Sequence, residues 1–445
     1  MAAATDTPAA SADPAVPSAA PGRFDGGLGA TFHRLWVQRG AVNLADGVLL
    51  TASGLLAVGV TRSPFQVSLV AASATLPWLF ATLPAGVLAD RYDRRLLMGG
   101  ANRGRVAALV AGVVLVLGPG VSIPLLCGLA LVLGVAEVLH DTVASTLVPA
   151  VVPRALYEKA NGRLLVAEQV ANSFLGAPLA GPLVALGAAW ALGVPALLYA
   201  AGALLLLGLH GRFRAHRDPV VKPSARRELA EGVRFVFGHR VIRTLTLVAG
   251  FANAANSAYF AVFVLWVVGP GSAMGLSPQV FGLLISALAL GAVLGPALAG
   301  RVVARFGSVR LLQPTWMANA LLMALPVLVP SLWVAVPVFV LLGVTNVMGN
   351  VMQMSMRQRM IPEALLGRAG AVGRLIGRGL DPIGALAGGA LATVLGLEVV
   401  FLGAVVVVLL GQAWSMAVVT PAAAARAQDD ADRADAAAAR ATASP

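Results

Sequence analysis

The sequence predicts an all-α membrane protein of twelve transmembrane helices arranged as two parallel six-helix repeats. Three observations carry that prediction: the composition, the one-sided placement of basic residues, and a set of loop motifs that recurs in the second half. Of 445 residues 58% are hydrophobic and 12% charged, with a mean hydropathy of +0.83. That leaves too little polar surface to cover a water-soluble globule. Backbone groups in lipid must pair within their own segment, so apolar runs of roughly 20 residues cross a bilayer as helices. The alternation that barrel strands require is missing.

The apolar runs place spans at 35–60, 65–88, 96–117, 121–148, 163–187, 189–209, 242–268, 279–300, 308–329, 331–354, 370–396 and 398–419. Gly118-Pro119-Gly120 separates the third from the fourth, and Val329-Pro330-Ser331 the ninth from the tenth, because Gly and Pro mark tight turns. The expected organisation is a disordered leader over 1–32, a first bundle over 33–210, a basic linker over 211–241, a second bundle over 242–420 and a tail over 421–445. The leader has no basic segment followed by an apolar one, so it does not read as a cleavable signal. The tail is Ala, Arg and Asp, which predicts a disordered segment or a weak surface helix. Cys127 is the single cysteine, which excludes an intrachain disulfide and a cysteine metal cluster.

The net charge of +12 raises the question of a nucleic-acid partner. With the N-terminus inside, however, every Lys and Arg except Arg62 falls in an inner segment, Arg91–Arg105 and Arg357–Arg378 among them. This is the positive-inside pattern. It predicts a multi-pass protein of the plasma (inner) membrane with both termini cytoplasmic, and it assigns the charge to topology, not nucleic acid.

The halves align in register. Gly86-Val-Leu-Ala-Asp90-Arg91-Tyr-Asp93-Arg94-Arg95 after the second span matches Gly300-Arg301-Val-Val-Ala304-Arg305-Phe-Gly307-Ser-Val-Arg310 after the eighth. Val152-Pro153-Arg-Ala-Leu156 likewise matches Ile361-Pro362-Glu-Ala-Leu365. Six helices repeated in parallel is the arrangement of carriers whose halves rock about a site near the bilayer midplane. The run from Gly86 to Arg95 resembles the signature loop of the major facilitator superfamily. Glu231-Gly-Val-Arg234-Phe and Met356-Arg357-Gln-Arg359-Met-Ile-Pro362-Glu-Ala-Leu-Leu-Gly367-Arg368 resemble its enterobactin-exporter and macrolide-efflux-like branch. The resemblance implies a cytoplasmic latch: Gly86 lets helices approach, Asp90 engages the opposite half, and Arg91, Arg94 and Arg95 hold the turn, with Gly300, Arg305 and Gly307 in the second copy. Asp93 stands where many relatives have glycine, and Ala304 stands where the second acid would be.

Ionisable groups deep in a span cost about 2.5–3.5 kcal/mol even on the lenient insertion scale, so those present face a cavity or a partner. Asp46 lies halfway along the first span with Asn43 on the same face. It reads either as a proton site or as an arginine-paired carboxylate that fixes packing. Glu137 lies near the middle of the fourth span, with His140 and Asp141 one turn nearer the cytoplasm, either as a cluster of coupled titratable groups or with the latter two wetted at the interface. Glu168, close to Lys159 and Arg163, reads first as an interfacial ion pair. On the eleventh span Arg374, Arg378 and Asp381 form a ladder on one face. Arg378 and Asp381 are candidates for a gate or an anionic-substrate contact, while Arg374 also suits a snorkelling anchor. Trp78, Trp266, Trp316 and Trp333 read more readily as interface anchors than as cavity lining. Gly291-Ala-Val-Leu-Gly295 and Gly373-Arg-Leu-Ile-Gly377 suit close helix packing.

Lys159 and Lys222 are the only lysines and neither sits in a phosphate-binding loop. No hydrolase or metalloprotease motif is present, which argues against an enzyme. No cofactor or metal is expected. The reading that results is a monomeric, proton-coupled exporter of a small amphiphilic molecule: a drug, an antibiotic or a siderophore. An importer or facilitator of a small nutrient keeps the same fold, and a non-transporting sensor or scaffold is the alternative of another class.

Overall fold

The computed structural model describes residues 28–145, 147–153, 156–208 and 225–443. The first span is α1 (Gly29–Val60), and the second is three pieces, α2 (Pro64–Thr75), α3 (Pro77–Phe80) and α4 (Thr82–Arg91). Then come α5 (Arg94–Leu117), α6 (Ile123–Ser145) and the short α7 (Val148–Val151). The fifth span joins α8 (Tyr157–Gln169), a π-helical turn over Val170–Gly176, and α9 (Ala177–Leu186), followed by α10 (Ala188–Leu207). The second half holds α11 (Ala225–Gly238), α12 (Arg240–Val267), α13 (Pro278–Phe306), α14 (Ser308–Leu328), α15 (Leu332–Met360), α16 (Glu363–Leu395), α17 (Leu397–Val418) and α18 (Pro421–Ala443).

Among the described residues ten helices are long and apolar enough to cross a bilayer. The two remaining spans depart for physical reasons. Pro77 and Pro84 cannot donate to the carbonyls of Ser73 and Phe80, and the second span breaks there. The eleventh, α16, is long enough but carries Arg368, Arg374, Arg378 and Asp381. In the fifth span the π turn directly precedes Pro178, whose ring would clash with the Phe174 carbonyl in a regular helix.

The halves pair their helices in the same pattern. Contacts of α1 with α10, α5 with α10, α5 with α6, and α2 with α6 recur as α12 with α17, α14 with α17, α14 with α15, and α13 with α15. Two seams join the halves, α2 against α16 and α9 against α13. They are the second-to-eleventh and fifth-to-eighth pairings, each the image of the other under exchange of halves. Glycine sets the closest crossings. A Cβ on Gly291 would fall on the Val340 carbonyl and one on Gly343 on the Leu288 carbonyl, so α13 and α15 touch backbone to backbone as the small-residue spacing predicts. A Cβ on Gly47 of α1 would likewise strike the Asn172 carbonyl in the π turn.

The seams close only one end of the molecule. At the end away from the basic loops, Gly389 of α16 lies against Ser68 and Pro64 of α2, and Gly181 of α9 against Pro278 and Gln279 of α13. There Arg62, the one arginine expected on that side, donates to the Val268 carbonyl of the other half at 2.8 Å. At the basic end, a Cβ on Gly86 or on Gly300 would meet nothing within 4 Å. Among the described residues neither α4 nor α8 packs against a helix of the second half, so the halves are joined at one end and parted at the other.

Three segments differ from the boundaries read in the sequence. The leader ends earlier, because Leu28 and Phe32 are buried in a cluster with Val148, Val152 and Ala160. Residues 1–27 lie outside the described residues. Of the linker, 225–238 is the amphipathic α11, tied to the second half by an Arg368–Glu231 ion pair of 2.8 Å, while 211–224 lie outside the described residues. The tail is helical: Ala424, Ala427 and Ala431 recur every three or four residues and are buried against the second half. Asp435 of α18 accepts from the Glu363 amide at 3.0 Å, capping α16 where Pro362 offers no side-chain cap.

Candidate functional site

Midway along the first half, four helices bring polar groups together on apolar walls. Asp46 on α1 accepts from the Tyr199 hydroxyl of α10 at 2.5 Å. The Arg105 guanidinium of α5 lies 3.6 Å from the same carboxylate oxygen and 4.7 Å above the Tyr199 ring. Arg105 is fully buried, and its Nε and both Nη find no hydrogen-bond partner among the described residues. Glu137 of α6 shares with Asp46 and Tyr199 a cavity of about 90 Å³, lined otherwise by leucines such as Leu49, Leu56, Leu126 and Leu192. Among the described residues Glu137 has no ion pair or hydrogen bond. The set thus holds one cation against two acids, of which one is paired.

Arg105 is the residue that the sequence reading missed, because it falls with the loop arginines in the charge pattern. It stands in the middle of α5, not in a loop. The expected grouping of Glu137 with His140 and Asp141 also divides. His140 is fully buried and meets Gln38 at 3.0 Å, with its other ring nitrogen 3.4 Å from Asp141. Arg39 of α1 bridges Asp141 of α6 and Glu168 of α8, each at 3.2 Å. So Glu168 pairs with Arg39, not with Lys159 or Arg163. Asn43 shares the Asp46 face but donates to the Arg39 carbonyl of its own helix at 2.8 Å.

On α16 the Arg378 guanidinium stacks 5.2 Å from the Trp78 ring of α3, across the seam. The Asp381 carbonyl accepts from Ser257 at 2.7 Å. Trp78 is thereby a seam residue and not an interface anchor. Trp266 is buried and donates to the Pro326 carbonyl at 3.1 Å, a carbonyl left open because Pro330, one turn on, has no amide hydrogen. Trp316 lines a cavity, and only Trp333, 88% exposed, keeps the anchor position.

In the signature loop Gly86, Asp90 and Arg91 belong to α4 and Arg94 and Arg95 open α5. Asp93 caps α5 by accepting from the Arg95 and Leu96 amides at 2.9 and 3.3 Å, which explains an acid where glycine is usual. Arg95 donates to the Leu207 carbonyl at 2.7 Å and Arg34 to the Gly208 carbonyl, so two cations sit at the C-terminal end of α10. In the second copy Arg305 lies in the last turn of α13, and Gly307, with φ of +81°, ends that helix in a conformation suited to glycine.

A second cavity, about 210 Å³, lies wholly within the second half. Asn253 and Asn256 of α12, Trp316 and Asn319 of α14, Asn346, Asn350, Gln353 and Arg357 of α15 and Gln412 of α17 line it, beside Gly373 and Gly377. Of this lining only Trp316 stood out in the sequence as a cavity residue, and there the anchor reading was preferred; the neutral amides carry no charge to mark them. The signal was present: Asn346, Asn350, Gln353 and Arg357 recur at helical spacing and share one face.

Two six-helix halves in reciprocal contact, closed at one end and carrying buried polar groups at mid-helix, define a secondary carrier of the major facilitator type. A family model described as transmembrane secretion effector matches residues 28–442, and the chain belongs to that family. The enterobactin exporter EntS of Salmonella typhimurium is 28% identical over 401 residues, covering 84% of this chain and 92% of its own. An uncharacterized MFS-type transporter of Mycobacterium tuberculosis is 35% identical over 150 residues, so this chain aligns with only 33% of that relative's length and 33% of its own. Among solved structures, the nucleoside transporter NupG matches with a TM-score of 0.69 at 13% identity, covering 88% of this chain and 99% of that one. A bacterial homologue of the iron transporter ferroportin in an inward-facing state matches at 0.61 and 17%, covering 86% and 99%. At these identities the structures establish the fold. The chain is a multi-pass membrane transporter of a small molecule.

Proposed function

We propose that this transporter is a proton-driven exporter acting as a monomer in the inner membrane, with its basic end and both termini in the cytoplasm. The observation that carries the reading is Glu137, a carboxyl group with no ion pair among the described residues, beside the Asp46–Tyr199–Arg105 set in a cavity whose other walls are mainly apolar. Arg105 balances Asp46. Glu137 is then the group whose proton decides whether the set is neutral or carries one negative charge. A lone charge in a low-dielectric wall is unfavourable, so the protonated and deprotonated forms favour different arrangements of the halves.

In the arrangement open at the basic end, Glu137 releases its proton to the cytoplasm and the carried molecule enters. After the halves rock, the molecule leaves outside and Glu137 takes a proton there. Arg39 with Asp141 and Glu168 ties α1, α6 and α8 into one body, so the first half moves as a unit. The printed names of the aligned enterobactin exporter and of the secretion-effector family favour the outward direction and a siderophore as cargo.

Everted vesicles with an acidified lumen test the reading. Macrolides, other amphiphilic drugs and siderophores are added while the pH gradient is followed. A compound that discharges the gradient with the wild-type chain but not with Glu137→Gln supports it. Full coupling in Glu137→Gln, with the variant folded, overturns the assignment of the proton to Glu137.

A further inference from the structure

The second-half cavity takes no part in the proton reading, and its chemistry is unlike that of the first half. Its lining holds carboxamides from four helices, one indole and one guanidinium, with no aspartate or glutamate. Arg357 forms no ion pair among the described residues, and its Nη2 is buried without a hydrogen-bond partner. The Trp316 Nε1 is likewise buried and unpartnered. A mere packing defect between spans would be apolar, because amides in a membrane interior are unfavourable unless something engages them.

The backbone around these groups is cut away to seat them. A Cβ on Gly349 would strike the Trp316 ring, and one on Gly373 the Arg357 guanidinium. Gly377 leaves room for the Asn253 amide, 3.3 Å from its Cβ position. The indole and the guanidinium thus pack directly against glycine. Asn319 is held by the Leu342 carbonyl at 3.2 Å and the Thr345 hydroxyl at 2.8 Å, and Asn350 donates to Asn346 at 3.0 Å, which orients the amides. At about 210 Å³ the space is smaller than the roughly 300–1,000 Å³ of a whole drug-sized ligand site, so it suits one ring-sized group of a larger molecule.

We propose that this cavity binds an acid-bearing aromatic or amide-rich head group of the carried molecule, with Arg357 as its counter-ion, Trp316 as its stacking surface and the asparagines as its hydrogen-bond partners. This rests on the transporter reading and adds the class of substrate: an organic anion, not a cationic amphiphile. Recognition lies in one half and proton exchange in the other.

The test is equilibrium binding to the purified full chain in lipid nanodiscs with no gradient, read by tryptophan fluorescence and thermal shift. The probes are phenylacetate, phenylacetamide and benzyltrimethylammonium, one ring with an anionic, a neutral and a cationic head. The expected order is phenylacetate ahead of the amide, with the cation weakest. Arg357→Gln should weaken phenylacetate about tenfold or more while leaving the amide little changed, as loss of a charge-assisted contact requires. Arg357→Lys, which keeps the charge, should retain part of the preference and shows that the site still folds. Equal binding of all three heads, no binding of phenylacetate at millimolar concentration, or an Arg357→Gln chain with the wild-type preference each overturns the proposal. Because Glu137→Gln should bind phenylacetate normally here, loss of acid preference with intact proton coupling sinks this inference alone. Intact acid preference with proton-independent transport sinks the exporter reading alone.

Discussion

Replacing Arg105 by glutamine removes the only cation within reach of Asp46 among the described residues. Two unit charges 3.6 Å apart attract by about 5 kcal/mol at an effective dielectric of 20. Removing one member of a buried pair typically destabilises by about 3–5 kcal/mol, because the other is left uncompensated. Arg105 is fully buried and the Asp46 side chain 15% exposed, so solvent relieves little of this. The separation exceeds hydrogen-bond range and the Tyr199 hydroxyl still serves Asp46, which places the expected loss near the lower bound, about 3 kcal/mol. Asp46→Asn alone should destabilise by a similar amount, since Arg105 then has no carboxylate. The double variant should fall short of the additive loss of about 6 kcal/mol by a coupling of about 2 kcal/mol or more. The assay is reversible unfolding in mixed detergent micelles, followed by tryptophan fluorescence, across the four chains of the cycle. Additivity within about 0.5 kcal/mol would refute the reasoning, since it would mean that the two charges do not depend on each other.

Three further outcomes are expected. Gly47→Val should collapse the folded yield measured by size-exclusion chromatography, because its side chain would enter the Asn172 backbone, whereas Gly40→Val on the same helix, with nothing within 4 Å, should leave the yield near wild type. In a Cys127→Ser background, Ser68→Cys in the closed seam should react slowly with a water-soluble maleimide and Gly86→Cys rapidly. Adding Arg62→Ala, which removes a charge-assisted hydrogen bond of about 1.5 kcal/mol across the closed end, should raise the Ser68→Cys rate about tenfold. His239, at the basic end before α12, accepts from the Ile242 amide, and burial ahead of the opposing pull of Asp430 lowers its pKa from 6.5. The folded state therefore disfavours the protonated ring, so this contribution is full above pH 6.5 and is lost as the pH falls through the lower folded value. Thermal stability should decline over that window in the wild type and less in His239→Asn, which caps without titrating.

The architecture was legible because lipid leaves the backbone few choices: run length, the side preferred by arginine and the repeated loop motifs all constrain the same twelve spans. Asp46 and Glu137 stood out for the same reason, as charges where charge is unfavourable. Arg105 did not, because an arginine shortly after a basic loop looks like an anchor. Its position nearly three turns past Arg95 was the clue, at 3.6 residues per turn. The pairing of Glu168 with Arg39 joins residues far apart in sequence and depends on tertiary packing of α1 against α8. The tail left two readings open, disordered or a weak surface helix, because alanine offers little apolar area; it forms the helix, and alanine is what allows α18 to sit close against neighbouring helices. The asparagines of the second half were overlooked because neutral amides leave no mark in a charge inventory.

The reciprocal seams also have a mechanical meaning. Because both pairings between the halves run from one end only to mid-helix, where Arg378 meets Trp78, a rocking half would act as a lever whose free arm is about half a helix length. An arm of about 16 residues is roughly 24 Å long at 1.5 Å per residue, so a tilt of about 10° at the fulcrum sweeps its far tip through roughly 4 Å, and opposite tilts of the two halves part their tips by roughly 8 Å. Displacements too small to break the seam are thereby magnified into an opening wide enough to pass a ring, and the small residues at the seam act as the bearing surface on which that rotation turns.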